Sequence, residues 1–455
     1  MTGVTVPDEC VGAFNGSIVV PGDVAYDEVR SVHNGLMDRR PALIARCHNV
    51  ADVRDAVNLG RDSGLEISVR GGGHNVAGRA VADAGLMIDL SLMRGIDVDP
   101  HRRRVRAQGG VTWNEYNRAT HLYAQATTGG VVSSTGVAGL TLGGGVGWLM
   151  GKYGLSIDNV TRLEVVTADG DAYVVDAEHE PDLFWALRGG GGNFGVATSF
   201  EFETQPVDVI LGGLVAHPLA AAGEVIDMYR QFTKELPDDA TVFCGLVHAP
   251  DGSGTKLCAL PLCHSGDLRQ AEADLAPLRQ FGPPILDLVE PMPYPVVNTM
   301  LDDAYPRAAL NYWKSAFFTE LSDAAVRTLI DAFEATPSIM TSIVIEHFHG
   351  AVCRVDPTAT AYPFREPGYN LVLTGQWADP AETDANVAWV RDTFSALEPY
   401  TAPKVYVNYL ADDEGGRIAN AYGQNFARLV EIKQRYDPDN LFHLNQNIDP
   451  NSATD

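Results

Sequence analysis

Short apolar runs and glycine-rich turns alternate along the first part of the chain. Residues 65–69 and 84–90 have the composition of half-buried strands, and they flank a loop. Residues 41–46 predict another strand, and Asn49 is placed to cap a helix that runs through Gly60. Thr112 is likewise placed to cap a helix that runs to about His121. Farther along, Asp169 and Gly170 predict the turn of a hairpin over residues 163–175. The N-terminal part of the chain is therefore expected to mix helices and strands.

The middle of the chain interleaves strands with amphipathic helices. We predict strands over residues 241–248, 256–263, 342–349 and 370–377, and helices over 220–236, 268–281 and 322–335. This order favours an α+β fold, in which an antiparallel sheet is backed by helices on its outer face. Toward the end, residues 406–409 have a strand pattern and residues 418–435 predict a helix. The changes in pattern divide the chain into residues 1–206, 207–395 and 396–455.

Length and charge restrict the classes of function. A chain of 455 residues with 45% hydrophobic residues is long enough for two or three domains. Its formal net charge of −26 repels nucleic acid and anionic membranes, so neither is an expected partner. The arginines between residues 102 and 106 are interpreted as a solvated strand pair, and a nucleic-acid patch is the less favoured alternative. No apolar run reaches the roughly 20 residues that a membrane span requires.

The six cysteines show no CxxC pair, which argues against zinc and against a disulfide scaffold. The N-terminus lacks the basic and apolar regions of a secretory signal. We therefore expect buried thiols in a cytoplasmic protein, with no metal site. His347 and His349 invite a metal interpretation, but no third ligand is spaced nearby.

Two glycine-dense stretches carry the candidate chemistry. The first runs from Arg70 through three glycines to His74 and Asn75, and the second covers residues 128–148. Consecutive glycines let backbone N–H groups approach an anion closely, so such a loop can hold phosphate oxygens. The alternative for either stretch is a set of tight turns, which the residues alone leave open.

Together with residues 152–160 and 406–442, these stretches resemble the family of FAD-linked oxidases that includes berberine bridge enzyme, the oligosaccharide oxidases and the bacterial hydroxynicotine oxidases. Residues 40–47 and 65–70 are most similar to the hydroxynicotine oxidases. The resemblance implies a two-lobed FAD-binding domain of the PCMH type over residues 1–206, completed by residues 396–455. Residues 207–395 would form the substrate domain.

The resemblance implies FAD bound covalently through His74, because the matching histidine of the family bonds the C8 methyl of the isoalloxazine. Val132 stands where bicovalent relatives have a second, cysteinyl link, so that link is expected to be missing. Thr135 matches a position that governs oxygen access in the family. The residues that the resemblance places at the cofactor are Arg70, Gly71, Gly72, Gly73, His74, Asn75, Gly130, Thr135, Gly136, Gly139, Leu140, Gly143, Gly144, Gly145, Asp158, Asn159, Gly195, Val196, Asn408, Asn445 and Asn447.

The same resemblance assigns catalysis to two tyrosines. Tyr409 matches a general base and Tyr406 a residue that shapes the substrate site; two buried strand aromatics are the structural alternative. A free phenol has a pKa near 10, so this role requires a neighbour that lowers the pKa of Tyr409. On the strand over 342–349, either Glu346 with Phe348 or His347 with His349 can face the cavity. On the strand over 370–377, Val372, Thr374 and Gln376 share a face.

We therefore expect an FAD-dependent oxidase that moves hydride from a carbon bearing a hydroxyl or amine to flavin N5. Molecular oxygen would reoxidise the flavin and give hydrogen peroxide. The alternatives are a flavin dehydrogenase with another electron acceptor and a flavin-free binding protein. The sequence leaves the substrate open among sugars, alkaloids, phenolics and amines, and it leaves the oligomeric state open.

Overall fold

A computed structural model describes residues 14–452 of the chain. Cys10, one of the six cysteines, lies outside the described residues. The strands are β1 Ser17–Val19, β2 Leu43–Arg46, β3 Ile67–Arg70, β4 Leu86–Asp89, β5 Ile96–Asp99, β6 Arg104–Gln108, β7 Gln125–Ala126, β8 Val160–Val166, β9 Ala172–Val175, β10 Val196–Glu203, β11 Gln205–Pro206, β12 Val209–Pro218, β13 Ala240–His248, β14 Lys256–His264, β15 Leu286–Asp287, β16 Glu290–Pro293, β17 Leu310–Phe318, β18 Ser342–Phe348 and β19 Gly368–Trp377.

The helices begin close to the predicted caps. They are α1 Tyr26–Arg30, α2 Val50–Ser63, α3 Trp113–His121, α4 Val137–Leu142, α5 Met150–Tyr153, α6 Pro181–Leu187, α7 Ala222–Phe232, α8 Leu268–Gln280, α9 Tyr294–Val297, α10 Asp323–Glu334, α11 Ala351–Arg354, α12 Thr383–Leu397, α13 Ile418–Tyr422 and α14 Phe426–Tyr436. Asn49 caps α2 by accepting a hydrogen bond from the Asp52 N–H at 3.1 Å. Thr112 and Glu115 form a capping box at the start of α3.

A four-stranded sheet, a five-stranded sheet and a two-stranded pair of β7 with β11 occupy the N-terminal half. The four-stranded sheet has the order β1-β2-β4-β3, in which β2, β4 and β3 run parallel. The five-stranded sheet has the order β5-β6-β10-β8-β9 and is antiparallel. β8 and β9 form the predicted hairpin, with Gly170 at a φ of +83°. The first sheet brings the ends of β3 and β4 together, and the loop that carries His74 begins at the end of β3.

The strands between residues 209 and 377 build one antiparallel sheet of order β15-β12-β14-β13-β18-β19-β17, with β16 beside β12. One face packs against α7, α8, α10 and α12 through a core of buried apolar side chains. The opposite face turns toward the glycine loops. This is the predicted α+β arrangement, in which side chains alternate between the helix side and the cavity side of each strand. The domain boundaries at residues 206 and 395 stay predictions.

Two predicted elements near the C-terminus are wrong. The helix expected over residues 418–435 is interrupted between α13 and α14, where Gly423 has a φ of +48° that an uninterrupted helix does not allow. Residues 407–409 form a 3₁₀ turn and not a strand. This turn places Tyr409 against the large sheet.

The arginines of the β5–β6 hairpin lie opposite glutamates. Arg106 is 3.0 Å from Glu164, and Arg104 is 3.5 Å from Glu203. These ion pairs offset part of the positive charge of the hairpin, in keeping with its interpretation as a solvated strand pair.

Candidate active site

His74 stands on the loop between β3 and β4. Gly73 adopts a φ of +67°, which favours glycine and turns the chain before the histidine. The His74 Nε2 atom is 3.2 Å from the Ser134 hydroxyl of the second glycine loop. Its ring stacks on that of His33, with centroids 3.8 Å apart and planes inclined by 19°. Burial, and secondarily the neighbouring His33, lower the pKa of His74, so its imidazole is neutral near pH 7.

The two glycine loops touch each other at Gly72 and Gly136. A methyl group at Gly72 would lie 2.5 Å from the backbone nitrogen of Gly136. Because a real side chain does not fit at that distance, glycine is required for the two backbones to form one continuous wall. Thr112 joins this wall through an isolated bridge to Gly136.

That wall borders a cavity of about 810 Å³, which extends from the glycine loops to the exposed face of the large sheet. The volume lies within the range of cofactor and ligand sites. Many residues predicted at the cofactor line it: Gly71, Gly72, Gly73, His74, Asn75, Gly130, Thr135, Gly136, Gly139, Leu140, Gly195, Val196, Asn408 and Asn445. Val132 and Tyr409 line it as well. A long cavity bounded by glycine backbone at one end fits a dinucleotide such as FAD.

The other predicted cofactor residues lie outside the cavity lining, and several have a different task. Arg70 points away from the loop and holds Asp89 through two hydrogen bonds of 2.9 and 2.8 Å. Asp158 forms a buried bidentate ion pair with Arg365, with both distances 2.8 Å. Asn159 donates to the carbonyls of Tyr153 and Leu155. The polar atoms of these side chains are hydrogen-bonded to other groups of the protein, so we interpret these side chains as stabilising the fold around the cavity.

The Gly143–Gly145 segment supports the site from behind. The Gly145 N–H donates to the Tyr406 hydroxyl at 2.8 Å, and the Asn408 amide donates to the same oxygen at 2.9 Å. Tyr406 is fully buried and is not part of the lining. Asn447 also lies outside it, whereas its neighbour Gln446 lines the cavity. We therefore interpret Tyr406 and residues 143–145 as residues that hold the turn at Asn408.

Glu346 and Tyr409 meet at the sheet side of the cavity. The Tyr409 hydroxyl donates to Glu346 Oε1 at 3.0 Å, and the Asn370 amide donates to Oε2 at 2.6 Å. Strand alternation places Glu346 on the cavity face together with Ser342 and Val344. His347 and His349 are on the helix side, where their rings stack 4.9 Å apart.

The pKa values of this pair do not favour the predicted role of Tyr409 as a general base. Burial, followed by the negative charge of Glu346, raises the pKa of Tyr409 well above its usual value. Burial also raises the pKa of Glu346 to about 7, although the hydrogen bonds from Asn370 and Tyr409 oppose the rise. The lowered pKa that a tyrosine base requires is therefore not found. Of the two groups, Glu346 has the pKa nearer to neutral pH.

Sequence reasoning missed His33 and left the role of Glu346 open. His33 precedes His74 by 41 residues, and no local pattern connects them. Glu346 did carry a signal, because it directly follows the apolar run Ile343–Val344–Ile345, and burying a carboxylate in such a strand is costly unless the carboxylate has a function. Within residues 14–452, no cluster of three or more histidine, cysteine or acidic side chains is arranged to hold a metal ion. Nor does that part of the chain contain a helix of the length and apolarity that crossing a bilayer demands.

Comparison with known proteins shows two matched domains and relatives that align along nearly the whole chain. A family model for an FAD binding domain matches residues 41–176, and a model described as berberine and berberine like matches residues 405–449. The (R)-6-hydroxynicotine oxidase of Paenarthrobacter nicotinovorans is 29% identical over 97% of this chain and 98% of its own length. An FAD-linked oxidoreductase of Dictyostelium discoideum is 28% identical over 90% of this chain and 89% of its own length.

A solved structure agrees with these sequence matches. The crystal structure of 6-hydroxy-D-nicotine oxidase from Arthrobacter nicotinovorans superposes with a TM-score of 0.87 at 28% identity, and it covers 96% of this chain and 98% of its own. The two family models cover the glycine loops and the C-terminal turn, and the likeness extends along nearly the whole chain. The chain therefore contains an FAD binding domain and a berberine-like C-terminal segment, and it is an FAD-linked oxidoreductase.

Proposed function

We propose that this enzyme is an oxidase that removes hydride from a carbon bearing a hydroxyl or amine in a small organic substrate. Oxygen would be the electron acceptor, and hydrogen peroxide the second product. One observation carries the proposal: a single cavity has the His74 loop at one side and the Glu346–Tyr409 pair at the other. Bound FAD would supply the hydride acceptor.

The chain would hold FAD with groups that already line the cavity. The backbone of residues 71–75 and of residues around Gly136 offers N–H groups to phosphate oxygens. Gly195, Val196 and Asn445 line the cavity near the second loop and complete the candidate cofactor surface. Asn408 extends this surface toward Tyr409.

His74 is the residue that would form the covalent bond. Its neutral imidazole has the lone pair that a nucleophile requires, and its ring is held between His33 and Ser134. Val132 lines the cavity where a second link would require a cysteine. We therefore propose one covalent bond to the protein.

Glu346 would accept the proton from the substrate hydroxyl or amine. Its carboxylate is buried at the cavity face, and a pKa of about 7 suits a base that works near neutral pH. Tyr409 would orient that carboxylate through its 3.0 Å hydrogen bond and touch the substrate with its ring. Asn370 fixes the other carboxylate oxygen.

Thr135 supports oxygen as the acceptor. It lines the cavity beside Gly130 with a short side chain, so it leaves room at this wall. The hydroxynicotine oxidase among the relatives is named as an oxidase, which favours the same chemistry here. The cytoplasmic location stays a prediction, and fractionation of the native host would test it.

Anaerobic reduction followed by mixing with air tests the proposal. The purified yellow enzyme is reduced by dithionite or substrate and then mixed with oxygenated buffer in a stopped-flow instrument. We expect the flavin to reoxidise within seconds and to release one equivalent of peroxide. A flavin that stays reduced for minutes in air would instead identify a dehydrogenase, and a colourless preparation that binds no added FAD would exclude both enzymes.

A further inference from the structure

The sheet side of the cavity restricts the class of substrate. We infer that the substrate is a mostly apolar, ring-sized alcohol or amine that carries neither a carboxylate nor a phosphate, and that it is not a sugar. This inference rests on the proposed function, because it concerns the same site. It follows from the shape, charge and hydrogen bonding of the lining.

The floor of this part of the cavity is apolar and shallow. Gly245 of β13 pairs with Ala259 on one side and with Val344 on the other, and Val344 pairs with Val372. Paired residues of neighbouring strands share a face, and these line the cavity. Small and branched apolar side chains thus form a flat surface on which a ring can lie.

Aromatic side chains border the floor close to Glu346. Trp313 contacts Tyr305 edge to face with centroids 5.7 Å apart, and it contacts Tyr409 with centroids 6.2 Å apart. Met300 and Leu301 add apolar side chains to the cavity lining. Aromatic edges and faces favour contact with another ring. The reacting carbon would therefore sit next to an aromatic corner and the buried carboxylate.

Three polar side chains on the sheet side of the lining, Thr341, Ser342 and Thr374, already have hydrogen-bond partners within the protein. The Ser342 and Thr374 hydroxyls hydrogen-bond together, and Thr374 also donates to the Ser342 carbonyl. The Thr341 hydroxyl donates to the Gln376 carbonyl and accepts from the Gln376 N–H. A sugar needs many free donors and acceptors, because each buried hydroxyl without a partner weakens binding by about 5- to 150-fold. These side chains therefore offer a sugar few free donors or acceptors.

The charges of the lining disfavour an anion. Of the lining residues that the structure describes, Arg79 is the one lysine or arginine, and Asp412 holds it at 2.9 Å. Glu346 and Asp303 bring negative charge to the cavity, in a protein of net charge −26. A carboxylate or phosphate on the substrate would therefore be repelled.

The entrance continues the apolar surface. Leu288 and Ile339 line the cavity and are 53% and 54% exposed. Val247 and Leu214 connect them to the floor. An apolar extension of the substrate away from the reacting carbon would cover these side chains. Each added methylene should then lower the dissociation constant about fourfold.

Binding and reduction are measured separately on the flavin-loaded enzyme without oxygen. The probes are 1-phenylethanol, 1-phenylethylamine and their para-alkyl homologues, with mandelate as the anionic match and cellobiose as the sugar. Perturbation of the flavin spectrum reports binding, and bleaching reports reduction. We expect the apolar probes to bind at least tenfold more tightly than mandelate or cellobiose, and their affinity to increase with alkyl length.

One substitution tests whether the substrate binds on the sheet. Gly245→Val adds a side chain whose Cβ lies 3.1 Å from Val247 and at ordinary contact distance, 3.8 and 3.9 Å, from the carbonyl oxygens of Ala259 and Ile343, so it narrows the floor. We expect it to weaken binding of the alkylated probes at least tenfold while flavin loading stays unchanged. Gly223→Ala, at an open position on α7, is the matched control and should bind them like the unaltered enzyme.

The outcomes separate the two proposals. Tighter binding of cellobiose or mandelate, failure of every apolar probe to bind, or unchanged binding by Gly245→Val would each overturn the substrate class. Apolar probes that bind as expected but never bleach the flavin would support the substrate class and count against the proposed function.

Discussion

At the residue scale, the chemistry centres on a carboxyl group removed from water. Glu346 is 2% exposed, yet it sits at the end of a cavity and carries two hydrogen bonds. Burial penalises the charged form, whereas the bonds from Asn370 and Tyr409 stabilise it, and the balance leaves the pKa at about 7. A group poised in this way can take a proton and return it near neutral pH.

Replacing this carboxyl should abolish proton transfer without removing the cofactor. We expect Glu346→Gln to slow flavin reduction by about 10²–10⁴-fold, because an amide cannot accept the proton. In the unaltered enzyme, kcat/KM should rise as the pH increases through about 7, and that rise should be lost in the variant. Tyr409→Phe removes a bond that lowers the pKa of Glu346, so its profile should shift to higher pH. An unchanged rate in Glu346→Gln would refute the assignment.

The His74 assignment has a readout that does not depend on turnover. We expect His74→Ala to release all of its flavin on acid precipitation, whereas the unaltered enzyme should keep its yellow colour. Ser134→Ala serves as the control, since it removes the 3.2 Å contact and leaves the imidazole in place. Colour that stays with the denatured His74→Ala protein would place the bond on another residue.

At the scale of elements, two loops meet without side chains between them. The methyl group of Gly72→Ala would lie 2.5 Å from the Gly136 nitrogen, so the β3–β4 loop and the start of α4 must move apart. We expect this variant to lose FAD affinity by about tenfold or more, as measured by flavin content after dialysis. Gly223→Ala, which meets nothing within 4 Å, should keep its flavin. Full loading of Gly72→Ala would show that the close approach is dispensable.

A buried ion pair joins a 3₁₀ turn to a distant segment. Asp158 and Arg365 are 9% and 1% exposed at their side chains. Removing one partner leaves the other charge buried, so Asp158→Asn should lower the free energy of unfolding by about 3 kcal/mol. Asp182→Asn breaks the exposed pair with Arg428 and should cost less than about 1 kcal/mol. Chemical denaturation measures the free energy of unfolding of both variants. Equal losses in the two variants would contradict the prediction.

At the scale of the whole molecule, buried histidines couple stability to pH. Burial, with a smaller effect of Arg307, lowers the pKa of His33 to about 4, and burial with His349 lowers that of His347 to about 3. The folded state keeps both neutral, whereas the unfolded chain binds protons below about 6.5. Their contribution to stability is therefore complete above pH 6.5 and is lost as the pH falls toward 4 and 3.

Thermal unfolding between pH 7 and pH 4 measures this coupling. We expect the unfolding temperature of the unaltered enzyme to fall with acidification, and that of His347→Gln to fall less steeply. His347 lies on the helix side of the sheet, so the substitution leaves the cavity lining intact. Identical pH dependence in the two proteins would show that His347 is not among the groups responsible.

Local features of the fold could be predicted from the sequence because their causes are local. The caps at Asn49 and Thr112 and the hairpin turn at Gly170 each depend on a few neighbouring residues. The failures arose where partners are distant. Residues 406–409 have strand composition, but Tyr406 is bonded to Gly145 and the turn packs against the sheet. That contact overrides the local pattern.

The sequence by itself determined the glycine loops, the alternation of the strands and the family resemblance, since these depend on residue type and spacing. Only the tertiary structure decided that Asp158 forms an ion pair with Arg365, that His33 stacks on His74 and that Glu346 accepts a hydrogen bond from Tyr409. The physical reason is that a pKa and a hydrogen-bond partner are set by burial and by neighbours far away in the chain. Glu346 and Tyr409 are 63 residues apart in sequence and 3.0 Å apart in space.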